Sequence, residues 1–68
     1  MMNQTLGSRI AELRRKKNMT QEELAAELGV TPQAVSKWES GASDPSTSNL
    51  LALAKLYGVS AEDLLREA

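Results

Sequence analysis

Sixty-eight residues, 41% hydrophobic and 25% charged, suit one small domain over 1–68, and that length excludes most enzymes. With no histidine and no cysteine, the usual general base, the thiol nucleophile, a disulfide and structural zinc are excluded, so no metal or cofactor is expected. A net charge of −1 does not describe a chain that coats nucleic acid indiscriminately.

Strands are poorly supported, because the aromatics are Trp38 and Tyr57 and apolar and polar residues nowhere alternate for long. Helical spacing recurs instead. Leu6, Ile10 and Leu13 fall at i, i+4 and i+7, on one stripe of a first helix from about residue 5 to 17. The cations from Arg14 to Lys17 either track phosphate or meet the negative end of that helix's dipole. Thr20-Gln21-Glu22-Glu23 is a capping box with Met19 and Leu24 in staple positions. A second helix therefore starts at residue 21, turns Leu24, Ala25 and Leu28 inward and ends at Gly29. Val30-Thr31-Pro32 restarts the chain at once, with Thr31 as cap and Pro32 in the first helical position, and a third helix runs to about Ser40 and stops at Gly41. Ser46 caps a fourth helix with Leu50, Leu53, Ala54 and Tyr57 on one face. Gly58-Val59-Ser60 repeats the Gly29-Val30-Thr31 device and opens a fifth. Leu64 and Leu65 are neighbours that cannot both face one core, which leaves one for a partner chain. The reading is an all-α fold of five short helices with no dividing linker.

A helix, a glycine turn and a second helix joined this tightly cross steeply, the geometry of a helix-turn-helix. The sequence offers it twice, and charge decides between the two. The helix after Gly58 opens on Glu62 and Asp63, which would repel phosphate, whereas the helix after Gly29 has no acid before Glu39. On that third helix Gln33, Ser36, Lys37 and Ser40 share one face and Val35 and Trp38 point the other way. Gln can pair with adenine N6 and N7, Lys can donate to guanine O6 or N7 or to phosphate, and Ser reaches either. The same residue types also make an ordinary solvated face. Glu39 lies beside Val35, partly shielded and in need of a cation, for which Arg14 is the candidate; two unrelated surface charges are the alternative. Gln21 can set its amide against a phosphate beside the free N–H groups of its helix start, or stand in solvent.

The string from Leu6 to Leu65 resembles the Cro/cI-type helix-turn-helix family, the lambda repressor-like or Xre domains of bacterial and phage regulators. The motifs that carry the resemblance are Thr20-Gln21-Glu22-Glu23-Leu24-Ala25, Leu28-Gly29-Val30-Thr31, Val35-Ser36-Lys37-Trp38-Glu39-Ser40-Gly41, Pro45 with Asn49-Leu50, and Leu56-Tyr57-Gly58-Val59-Ser60, all in register. It implies a five-helix domain with the motif at helices 2 and 3, the third entering the major groove of double-stranded DNA. Gln33, Ser36 and Lys37 then stand at base-reading positions. Gln21, Thr31, Arg14, Ser40 and the residues after Gly41, Ala42 and Ser43, stand at phosphate-contacting ones, the last two through backbone N–H groups. Arg14 and Glu39 match a buried pair of the family. Two departures count: Pro32 replaces a polar reader that packs on the residue at the Gln21 position, and Ala42-Ser43-Asp44 lacks the cations common there in relatives.

With few cations per copy, useful affinity calls for two copies on half-sites about 34 Å apart, so a homodimer on a pseudo-palindrome is expected. The resemblance puts its interface on the fifth helix or the loop before the fourth. The expected function is that of a transcriptional regulator, a repressor in the first instance. A helical protein-interaction or antitoxin-like module is the rival, distinguished by salt-insensitive association with a protein and none with duplex DNA. An enzyme is not expected, since no nucleophile and base can be paired from these residues. No apolar run approaches the roughly 20 residues that span a bilayer and the start has no signal-peptide core, so a soluble, cytoplasmic protein is expected.

Overall fold

Every helix that the local pattern marks is present in the computed structural model, which describes residues 5–65. They are α1 (Leu6–Lys16), α2 (Gln21–Leu28), α3 (Pro32–Ser40), α4 (Thr47–Tyr57) and α5 (Ala61–Leu65). Among the described residues there is no strand. Short hydroxyl caps set the starts. Thr20 Oγ1 accepts the Glu23 N–H at 3.0 Å while Glu23 Oε1 accepts the Thr20 N–H at 2.8 Å. Thr31, Ser46 and Ser60 accept from Ala34, Asn49 and Asp63 in the same way. Thr5 and Ser8 form a further reciprocal box at the start of α1.

Gly29 ends α2 in the left-handed region at φ 71°, where a Cβ is strained. The Val30 N–H then bonds back to the Ala25 carbonyl at 3.0 Å, which turns the chain sharply into α3. Gly58 and Val59 repeat this between α4 and α5, down to the bond from Val59 N–H to Ala54 O at 3.0 Å.

The apolar stripes meet in one core. Ile10, Leu24, Val35, Leu53 and Leu64 are fully buried, with Ala25, Trp38, Ala54 and Tyr57 around them. Leu6 and Leu13, the other members of the α1 stripe, are half-buried against this cluster. α3 packs against both α1 and α2, α4 lies on α2, and α5 closes against α1 and α4. One face of α3 is thus committed to the interior along its whole length, and its other face is left outside. Of the leucine pair, Leu64 faces the core and Leu65 is 55% exposed. No helix among the described residues is long and apolar enough to cross a membrane.

Candidate nucleic-acid interface

The outward face of α3 is built by subtraction. Val35 and Trp38 turn inward, so Gln33, Ser36, Lys37 and Ser40 are exposed together. The side chains of Gln33, Ser36 and Lys37 make no hydrogen bond or ion pair among the described residues, so their donors and acceptors are available to a ligand. Pro32 occupies the first turn, exposed, where its missing N–H costs nothing. Thr31, just before it, uses Oγ1 to accept the Ala34 N–H at 3.1 Å.

The acid of this helix is turned away from that face. Glu39 Oε2 accepts from Arg14 Nε at 2.7 Å and Glu39 Oε1 accepts from Arg14 Nη2 at 3.1 Å, a two-pronged pair that joins α1 to the end of α3. Arg14 Nη1 donates to the Met19 carbonyl at 2.9 Å, tying in the loop between α1 and α2. Gln21 Nε2 donates to Glu39 Oε1 at 2.9 Å. Burial alone would push the Glu39 carboxyl up, but the hydrogen bonds from Arg14 and Gln21 and the charges of Arg14 and Arg15 hold it below its ordinary value. The hydrogen bond to Glu39 likewise raises Arg14. The result is a neutralised pair behind a carboxylate-free polar face.

Several expected phosphate contacts are arranged differently. Arg14, expected both at phosphate and as the partner of Glu39, makes three donor bonds within the chain, two to Glu39 and one to Met19, and its side chain is 13% exposed. The N–H groups after Gly41, expected as a clamp, also bond within the chain. Gly41 is left-handed, and the chain curls back over the end of α3, so that Ala42 and Ser43 N–H both donate to the Lys37 carbonyl, at 2.9 and 3.3 Å. The Ser40 hydroxyl joins that turn, donating to Lys37 O at 3.2 Å and accepting from Ala42 N–H at 3.4 Å. Exposed cations remain at Arg15, Lys16 and Lys17, at the end of α1. Pro32 cannot steady Gln21, and Glu39 takes the Gln21 amide instead.

Three features escaped the sequence reading. Gly7 is buried against the backbone at the end of α3, and a Cβ there would come within 2.9 Å of the Glu39 carbonyl oxygen. Asn18 is left-handed at φ 57°, a conformation that Asn tolerates better than most residues, so an Asn directly after a cationic helix end was a usable signal. Gln21 and Glu39 are 18 residues apart, and no local pattern announces their contact.

Two helices joined through a left-handed glycine, the second with its polar face free and its acid neutralised from behind, constitute a helix-turn-helix domain. The helix-turn-helix family model matches residues 10–64, and the chain belongs to the Cro/cI-type branch of that family. It is 42% identical over 57 residues to the transcriptional activator BcrR of Enterococcus faecalis, which covers 84% of this chain and 28% of that protein. It is 38% identical over 66 residues to repressor protein C2 of Salmonella phage P22, covering 97% of this chain and 31% of C2. The fold superposes on the P22 c2 repressor in complex with a synthetic operator with a TM-score of 0.87 at 38% identity, over 93% of this chain and 96% of that one. It also matches SinR in complex with DNA, with a TM-score of 0.83 at 30% identity, over 91% and 100% of the two chains.

Proposed function

We propose that this domain is the DNA-binding unit of a transcriptional regulator that recognises a specific double-stranded sequence, acting in the compartment that holds the DNA. α3 lies in the major groove, with Gln33, Ser36 and Lys37 against base edges. Gln21 and Thr31 meet the flanking phosphates, and Arg15, Lys16 and Lys17 add the long-range attraction that brings the duplex in. The Ser43 hydroxyl, exposed and without a partner among the described residues, serves phosphate in place of the N–H groups that bond to Lys37, where the Ser40 hydroxyl is also engaged. The observation that carries the reading is the α3 face itself: three exposed side chains with no partner among the described residues, fixed from behind by buried Val35 and Trp38. The complexes of relatives with operator DNA and with DNA support it.

Few cations border this face, so two copies on half-sites about 34 Å apart supply the affinity that one copy lacks. Binding alone then represses, by occluding the site.

A selection from random duplexes tests the proposal. It should return one motif arranged as two related half-sites, bound with a log–log salt slope of a few units. Recovery of no motif, together with a flat salt response, would refute it.

A further inference from the structure

Glu39 collects three donors from two other helices. Arg14 of α1 reaches it through Nε at 2.7 Å and Nη2 at 3.1 Å, and Gln21 of α2 through Nε2 at 2.9 Å. Gln21 is the first residue of α2, whose capping box already commits the Glu23 N–H to Thr20 Oγ1. The backbone N–H groups of Gln21 and Glu22 have no partner among the described residues.

A glutamine amide in water turns over readily and exchanges its donor end for its acceptor end. Beside a carboxylate the two orientations are no longer equivalent. With Nε2 inward, one of its hydrogens meets Glu39 Oε1; turned over, two acceptor oxygens would face each other. Glu39 therefore selects one orientation, and Nε2 keeps a second hydrogen for an outside acceptor. Arg14 matters here as well, because a lone carboxylate this close to the start of α2 would repel phosphate.

Resting on the DNA-binding reading above, we propose that Glu39 is a positioning residue for the phosphate contact made by α2. It touches no nucleic acid. It holds the Gln21 amide so that the second Nε2 hydrogen is offered together with the N–H groups of Gln21 and Glu22, while Arg14 cancels its charge. One carboxylate thus couples the start of α2 to the end of the reading helix, so that backbone and base contacts are set together.

The test is a double-mutant cycle on a short duplex recovered from a random pool by the wild-type protein, with urea unfolding run in parallel so that affinities are compared between folded proteins. Gln21→Ala is expected to weaken binding about tenfold, as for loss of one hydrogen bond to a charged group. Glu39→Gln should weaken it by a similar factor, and the double variant should lose little more than either alone. Losses that multiply, or a Gln21→Ala protein that binds as tightly as wild type, would overturn the proposal, since a purely structural Glu39 acts regardless of residue 21. Should Glu39→Gln fail to fold, Gln21→Glu replaces it: this leaves Arg14 and Glu39 intact, sets acceptor against acceptor, and must weaken binding at least as much as Gln21→Ala. Wild-type affinity in Gln21→Glu counts against positioning. A wild-type protein that recovers no duplex would overturn the DNA reading instead. In that case the Gln21 side-chain amide resonances decide: Glu39→Gln must shift them and speed their exchange, and unmoved resonances end the positioning role.

Discussion

Gly7 on α1 lies directly against the carbonyl oxygens of Trp38 and Glu39 at the end of α3, with no room for a side chain between them. This contact brings α1 close enough for Arg14, two turns further on, to reach Glu39. The approach of two backbones at Gly7 and the ion pair at Arg14 are thus parts of one joint, and the joint holds the reading helix against the rest of the domain.

Gly7→Ala is expected to destabilise the domain by about 3 kcal/mol, at the upper end of what overpacking costs. Alanine in an exposed helix interior usually stabilises by roughly 0.5–1 kcal/mol relative to glycine, so the sign is diagnostic. Urea unfolding measures it, and a gain in stability would mean that α1 and α3 do not meet at Gly7.

Gln33→Ala should cost about 1–3 kcal/mol at a single base pair of the selected duplex and relax the preference there. The salt slope should stay as in wild type, because no phosphate contact is removed. Binding measured on the selected duplex and on single-base variants checks this. Equal losses on every sequence would remove Gln33 from the readers.

The Glu39 pair gives the stability an acid limb. The Glu39 carboxyl is held below its ordinary value of 4.5, so on lowering the pH the unfolded chain takes up this proton first. Its stabilising contribution is therefore complete above pH 4.5 and is lost as the pH falls through the lower, folded value. Glu39→Gln should cost about 2 kcal/mol near neutrality, through the weakened bonds to Arg14 and Gln21, and should remove this part of the acid limb. Urea unfolding in pH steps compares the two proteins, which should converge in acid. A constant gap down to low pH would show that the charge on Glu39 is not what stabilises the joint.

Tyr57 sets the alkaline side. Its hydroxyl oxygen is buried without a hydrogen-bond partner among the described residues, and burial pushes its pKa from 10.0 up to about 12. The unfolded chain thus ionises first as the pH rises, and stability present below pH 10.0 is lost between there and about pH 12. Tyr57→Phe should abolish that loss. Near neutrality it should be neutral or stabilise by about 1 kcal/mol, since it removes an unpaired buried hydroxyl. Thermal unfolding at neutral and alkaline pH reads both effects, and a marked loss of stability in Tyr57→Phe at neutral pH would reveal a partner for the hydroxyl.

What could be read without coordinates is local. Each cap couples residues three apart, as in Thr20 with Glu23 and Thr31 with Ala34, and each closing glycine turn couples residues five apart, as in Ala25 with Val30. Such interactions compete only with the chain's own nearby alternatives, so the five helices and the inward sides of Leu24, Val35 and Trp38 follow from spacing. The outward side of α3 follows as the complement of the buried one. The joint of Gly7, Arg14, Gln21 and Glu39 is of another kind. Helical spacing suggests that Glu39 needs a cation, but Gln21 as a second donor, the meeting of Gly7 with the α3 backbone and the diversion of the Ala42 and Ser43 N–H groups onto Lys37 depend on how helices dock and how the loop curls. Amphipathic stripes tell a helix which side to bury; only packing in three dimensions sets how near two backbones come and which of several possible acceptors a donor reaches.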